Sequence, residues 1–134
     1  LNGVARVADL TGNWKGIFNY PRLLPPTAFD AELRDLVGSI CGVTSEPHVD
    51  GNGLILHATL EGFREGACVR FKKVYDDPDD EYRPVLYEGN VDSSGDEISG
   101  KWTVPGAWSG SFIMVRHSGQ EEAEVRHVSE EVGP

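Results

Sequence analysis

The sequence predicts an all-β fold, an eight-stranded antiparallel up-and-down β-barrel, and three observations carry that expectation. Apolar residues recur at every second position rather than at helical spacing. The alternating stretches are short and separated by Gly, Pro, Asn and Asp, and eight of them follow one another between Trp14 and Arg116. An open sheet of that many strands would expose unpaired edges, which closure into a barrel removes.

Each element has its own justification. The first strand runs from Trp14 to Tyr20 and is stopped by Pro21. In the second, Thr27 to Asp35, Phe29, Ala31 and Leu33 alternate with Asp30, Glu32 and Arg34. A helix would instead set apolar residues three and four apart. Gly38 to Glu46 forms the third strand and Leu54 to Glu61 the fourth. Gly62-Phe63-Arg64-Glu65-Gly66 reads as a tight connection into the fifth, Ala67 to Tyr75. The acidic stretch Asp76-Asp77-Pro78-Asp79-Asp80-Glu81 leads to the sixth, Pro84 to Val91. Asp92-Ser93-Ser94-Gly95-Asp96 has hairpin chemistry ahead of the seventh, Glu97 to Val104, and Pro105-Gly106 turns into the eighth, Ser109 to Arg116. Residues 1–9 are thus a lead-in, 10–118 the barrel domain and 119–134 an acidic tail. The tail has no clear period and is expected to be flexible or packed on the outside.

Composition limits what such a barrel can do. A chain of 134 residues builds one core. Twelve basic residues against twenty-two acidic ones, a net charge of −10, leave no basic face for a phosphate backbone or an anionic membrane, so neither is an expected partner. There is no apolar run of the ~18 residues that a membrane span needs, and no basic-then-apolar signal peptide is visible. The chain begins at Leu1 rather than Met, which leaves room for a removed upstream segment. Parity puts Cys41 and Cys68 outward on the third and fifth strands, two strand spacings or about 9.6 Å apart, beyond the ~7 Å reach of a disulfide. Two free thiols favour a cytoplasmic setting.

The chemistry-bearing residues offer little for catalysis. His48, His57, His117 and His127 match no metal-ligand spacing. The Asp76–Glu81 cluster reads as a solvated loop and Asp92–Glu97 as a hairpin. No metal, cofactor or catalytic residue is expected, and the chain does not read as an enzyme. With Trp14 inward, Gly16, Phe18 and Tyr20 share its face; with Phe71 inward, so do Val69 and Lys73. Gly16 and Gly42 leave lumenal volume to be occupied. Lys73 is a candidate lumenal charge for an acidic ligand group or a barrel carboxylate, although its place near the strand end favours a stem that reaches water.

Leu10-Thr11-Gly12-Asn13-Trp14 and Gly38-Ser39-Ile40-Cys41-Gly42 resemble the start of avidin and streptavidin. Val69 to Tyr75, Tyr87 to Val91 and Glu97 to Trp102 resemble that family's fifth, sixth and seventh strands. The wider calycin superfamily pairs an early Gly-x-Trp with a late basic residue over the tryptophan, roles that Gly12, Trp14 and Arg116 fit. The resemblance implies that Phe71, Tyr87 and Trp102 form an aromatic wall, although core filling is the commoner fate of such residues in barrels of this size. It also implies subunit contacts on the outer face, where Ile17, Val37, Val43 and Val74 are more apolar than exposure requires, so a homo-oligomer is expected. The polar half of the family's biotin site is missing: its asparagine falls at Gly16, its tyrosine at Thr44, and its serine has no counterpart. The expected function is a small-molecule-binding barrel, not for biotin, holding a small apolar or aromatic ligand between Phe71, Tyr87, Trp102, Lys73 and the mouth residues Tyr20 and Thr44. The alternative is a non-binding scaffold for oligomerisation.

Overall fold

Eight strands follow one another in the computed structural model, which describes residues 9–47, 53–76 and 83–116. They are β1 (Gly12–Asn19), β2 (Thr27–Leu36), β3 (Ser39–Pro47), β4 (Ile55–Glu65), β5 (Cys68–Tyr75), β6 (Val85–Val91), β7 (Glu97–Val104) and β8 (Trp108–Arg116). Each pairs antiparallel with the next, and β1 also pairs with β8, so the sheet closes on itself as an up-and-down barrel. Among the described residues no helix is long and apolar enough to cross a membrane. Residues 1–8, the 119–134 tail, His48, His117, His127 and most of the acidic stretch lie outside the described residues.

One boundary differs from expectation by more than two residues. Gly62 to Glu65 is not a connection but the last part of β4, with Gly62 opposite Ile40 and Phe71, and Phe63 opposite Ser39 and Arg70. Inward parity carries Arg64 to the buried Asp35 on β2, to which its Nε donates at 2.9 Å, and the Arg64 amide donates to the Gly38 carbonyl at 2.7 Å. These long-range bonds hold as strand a segment whose two glycines alone suggest a turn.

Asp35 also accepts from the amides of Leu10 (3.1 Å) and Gly38 (2.9 Å). Burial alone would raise its pKa, but the two amides and the Arg64 guanidinium outweigh it and hold the carboxyl below the ordinary value. A depressed carboxylate stabilises the fold fully above the unfolded value of about 4, and that stabilisation is lost as pH falls through the folded value. Asp35→Asn is therefore expected to lower stability at neutral pH and to shrink the further loss on acidification. Urea titrations at successive pH values measure both.

The β2–β3 hairpin turns on Val37 and Gly38, with φ of 55° and 95°. Such two-residue turns suit Asn-Gly, whereas a β-branched residue in the left-handed region is strained. Val37 is fully exposed, so nothing is lost by replacing it. Val37→Asn is expected to stabilise the protein by about 1 kcal/mol, read as a higher urea midpoint.

Strand alternation gives the barrel two unlike ends. One is closed. Trp14 is buried there, its Nε1 donating to the Leu10 carbonyl at 3.0 Å, and the Arg116 guanidinium lies 4.6 Å from its ring centroid. Arg116 donates to the carbonyls of Thr11, Asp9 and Gly95 and to the Asp96 carboxylate at 2.7–3.0 Å. Gly12 has a φ of +145°, and a Cβ there would sit 3.3 Å from Arg116 Nη1. Above this plug the lumen is packed. The Phe29 ring takes the space over Gly16, Phe71 stacks on Tyr87 at 5.1 Å, and Phe112 meets Tyr87 edge-on at 5.0 Å.

Candidate functional site

The other end of the barrel opens into a cavity of about 270 Å³. Its rim is an aromatic triad from three strands or their ends: Tyr20 after β1, Trp102 on β7 and Trp108 at the start of β8. Ring centroids lie 5.1 Å apart for Tyr20 and Trp108, and 5.7 Å for Trp102 with either neighbour. Trp102 is held by its Nε1 donating to the Asn19 carbonyl at 3.0 Å. Its ring lies over Gly110, where a Cβ would come within 2.7 Å of it, so only glycine lets the indole sit so close to β8. The Tyr20 hydroxyl is 3.1 Å from Thr27 Oγ1, and Arg83 at the edge donates to the Pro105 carbonyl at 2.7 Å. Phe18, Tyr75, Tyr87 and Glu46 also line the cavity, with Val85, Val104 and Ala107.

The floor is polar. β3 turns Ile40, Thr44 and Glu46 inward, and β5 turns Val69, Phe71 and Lys73 inward, with β4 between them. On β4 the inward residue paired with both Thr44 and Tyr75 is Ala58, small enough for side chains from β3 and β5 to meet in front of it. Lys73 Nζ donates to Glu46 Oε1 at 3.0 Å, and the Tyr75 hydroxyl donates to Oε1 and Oε2 of the same carboxylate at 3.1 and 3.3 Å. The ammonium is further enclosed by Phe18 and Tyr75, each with its centroid 4.7 Å away, and by Tyr87 at 5.4 Å and Phe29 at 5.6 Å.

Lys73 corrects the sequence reading, since its side chain does not reach water but is 1% exposed. A buried carboxylate and four ring faces at its tip replace water as the ammonium's surroundings. Burial pulls its pKa down, with the Glu46 charge and hydrogen bond opposing. Burial pushes Tyr75 and Tyr87 up, and the Glu46 carboxylate adds to both, so both phenols remain protonated.

Of the other expected site residues, Tyr20, Tyr87 and Trp102 line the cavity. Phe71 does not: it lies deeper, stacked on Tyr87 and edge-on to Phe112, as core. Thr44 does not line it either, but sits between Ala31 and Ala58, and its buried Oγ1 has no hydrogen-bond partner among the described residues. Glu46, Tyr75, Arg83, Val85, Val104, Ala107 and Trp108 line the cavity but went unrecognised in the sequence. Glu46 shares the parity of Ile40 and Thr44, and Tyr75 that of Phe71 and Lys73, so an inward acid two strands from an inward lysine was a usable signal. Arg83 and Trp108 fall outside the strand limits the sequence suggested, where parity has nothing to say.

The described residues contain no group of three or more His, Cys, Asp or Glu arranged for a metal ion. His57 is exposed on β4; Cys41 and Cys68 are free thiols on β3 and β5, exposed and half-buried. On the outer face Val37, Val43 and Val74 are exposed, but Ile17 is buried, flanked by Ala28 and Ile113. No protein-family model matches the chain, and no curated protein matches it.

Proposed function

We propose that the chain is a small-molecule-binding barrel of the avidin-like, calycin kind, whose ligand enters between Tyr20, Trp102 and Trp108 and rests on the Glu46–Tyr75 floor. The observation that carries this reading is the contrast between the two ends. A barrel serving only as a scaffold gains from plugging both, as Arg116 plugs one, yet the other keeps an aromatic-walled cavity with a carboxylate and a phenol converging at its base. Apolar walls with a few placed polar groups are the usual form of a small-ligand site.

The cavity also sets the ligand's size. At about 270 Å³ above a packed lumen it suits a single planar ring system rather than a long acyl chain. Biotin is not the ligand in this reading, because Gly16 supplies no donor and Thr44 lies outside the cavity. Titration with small aromatic compounds is expected to quench tryptophan fluorescence, and native mass spectrometry of protein from its own host is expected to carry a retained small molecule. Trp108 is 42% exposed, so Trp108→Ala is expected to leave the fold intact, checked by an unchanged far-UV circular dichroism spectrum. It is expected to weaken binding by about 1 kcal/mol, roughly fivefold. Unchanged affinity would overturn the site.

Homo-oligomerisation is proposed alongside binding, supported by exposed Val43, Phe63, Val74 and Leu86 on the outer face of β3 to β6. Sedimentation velocity is the test, with Phe63→Glu expected to shift the protein to monomer. The two free thiols support a reducing, cytoplasmic setting.

A further inference from the structure

We propose that Lys73 makes the cavity a covalent capture site for small aromatic aldehydes, which it binds as an imine. The inference rests on the cavity being a ligand site and names the class of ligand it would take. Lys73 Nζ is surrounded by residues that line the cavity: it donates to Glu46 and lies against Phe18, Tyr75 and Tyr87. It is therefore one side-chain layer beneath the floor, at the end of a four-carbon stem. The other lysines, Lys15, Lys72 and Lys101, are not buried. A lysine desolvated among aromatic rings holds its proton less tightly than one in water, the condition under which amines act as nucleophiles.

The neighbours supply the remaining chemistry. Glu46 accepts one ammonium proton, freeing the Nζ lone pair, and the Tyr75 hydroxyl, which donates to the Glu46 carboxylate, can turn its proton to the incoming carbonyl oxygen once that carboxylate is protonated. Nζ attacks the carbonyl carbon, the C=O π pair moves to oxygen, and the proton held by Glu46 passes to that oxygen. The second nitrogen proton returns to Glu46, giving the carbinolamine, and then leaves with the hydroxyl as water, so that C=N forms with the third proton still on nitrogen, opposite the Glu46 carboxylate. Ammonium plus aldehyde gives protonated imine plus water, with no change of oxidation state. The aromatic walls hold the ring of the aldehyde, and exclusion of water from the floor disfavours hydrolysis.

Reductive trapping tests this. The intact protein is incubated with cinnamaldehyde or naphthaldehyde and sodium cyanoborohydride at neutral pH, then digested and mapped by tandem mass spectrometry. The expected result is one adduct per chain, equal in mass to the aldehyde less one oxygen atom, on Lys73 and favoured about tenfold or more over Lys72. Lys73→Arg, which keeps a cation opposite Glu46, is expected to abolish the adduct while tryptophan quenching by the corresponding alcohols persists; Lys101→Arg is expected to change nothing. Adducts spread over Lys15, Lys72 and Lys101 with none on Lys73 overturn the proposal. Quenching by aldehydes and alcohols without an adduct removes covalent capture and leaves the binding site standing. Absence of both quenching and adduct removes the two together.

Discussion

Lys73→Met alone is expected to destabilise the protein by about 3–5 kcal/mol, and Lys73→Met combined with Glu46→Leu to return to within about 2 kcal/mol of the parent. The single change leaves the Glu46 carboxylate in a site where it is 5% exposed, with the Tyr75 phenol but no cation to oppose its charge. The double change leaves no charge there, and Met and Leu suit the surrounding rings of Phe18, Phe29 and Tyr87. The residual cost is the carboxylate acceptor that the Tyr75 hydroxyl loses, about 1 kcal/mol. Urea denaturation of the two single variants and the double gives the coupling energy directly. Losses that simply add would mean that the two groups do not act as a pair. A pair that costs no more than its apolar replacement contributes little net stability.

Arg116→Met is expected to cost about 3 kcal/mol, the second largest loss. The side chain covers Trp14 and supplies donors to three carbonyls and one carboxylate at the closed end, and bonds from a charged donor are worth about 1.5–3 kcal/mol each but do not add. Arg116→Lys is expected to recover less than half of the loss, because an ammonium cannot reproduce the guanidinium fork that reaches Asp9, Thr11 and Gly95 together. Thermal unfolding measures the cost. A red shift of tryptophan emission in Arg116→Met reports water reaching Trp14, and an unshifted spectrum with unchanged melting would show that the plug is dispensable.

Most of the strand pattern was legible because a half-buried strand needs only its own period of two. Phe29, Ala31 and Leu33 sit inward and Asp30, Glu32 and Arg34 outward in β2, as the alternation requires. The segment from Gly62 to Glu65 was not legible, because what makes it strand is Arg64 reaching Asp35, a residue 29 positions away. Gly12, Trp14 and Arg116 could be named from a resemblance, and the closed end brings them together.

The sequence by itself determined an all-β chain of eight alternating strands, the face taken by side chains within the strand limits it suggested and the excess of acidic over basic residues, since these depend on local periodicity and on composition. Only the tertiary structure decided which inward residues line a cavity and which fill the core. Phe71 and Tyr87 are alike in sequence, yet Phe71 packs below the floor while Tyr87 lines the cavity. Lys73 and Glu46 lie 27 positions apart, and barrel closure with a small Ala58 between their strands is what joins them. Parity tells a side chain which face to take, whereas burial, charge pairing and open volume depend on the register of non-neighbouring strands, which no local pattern carries.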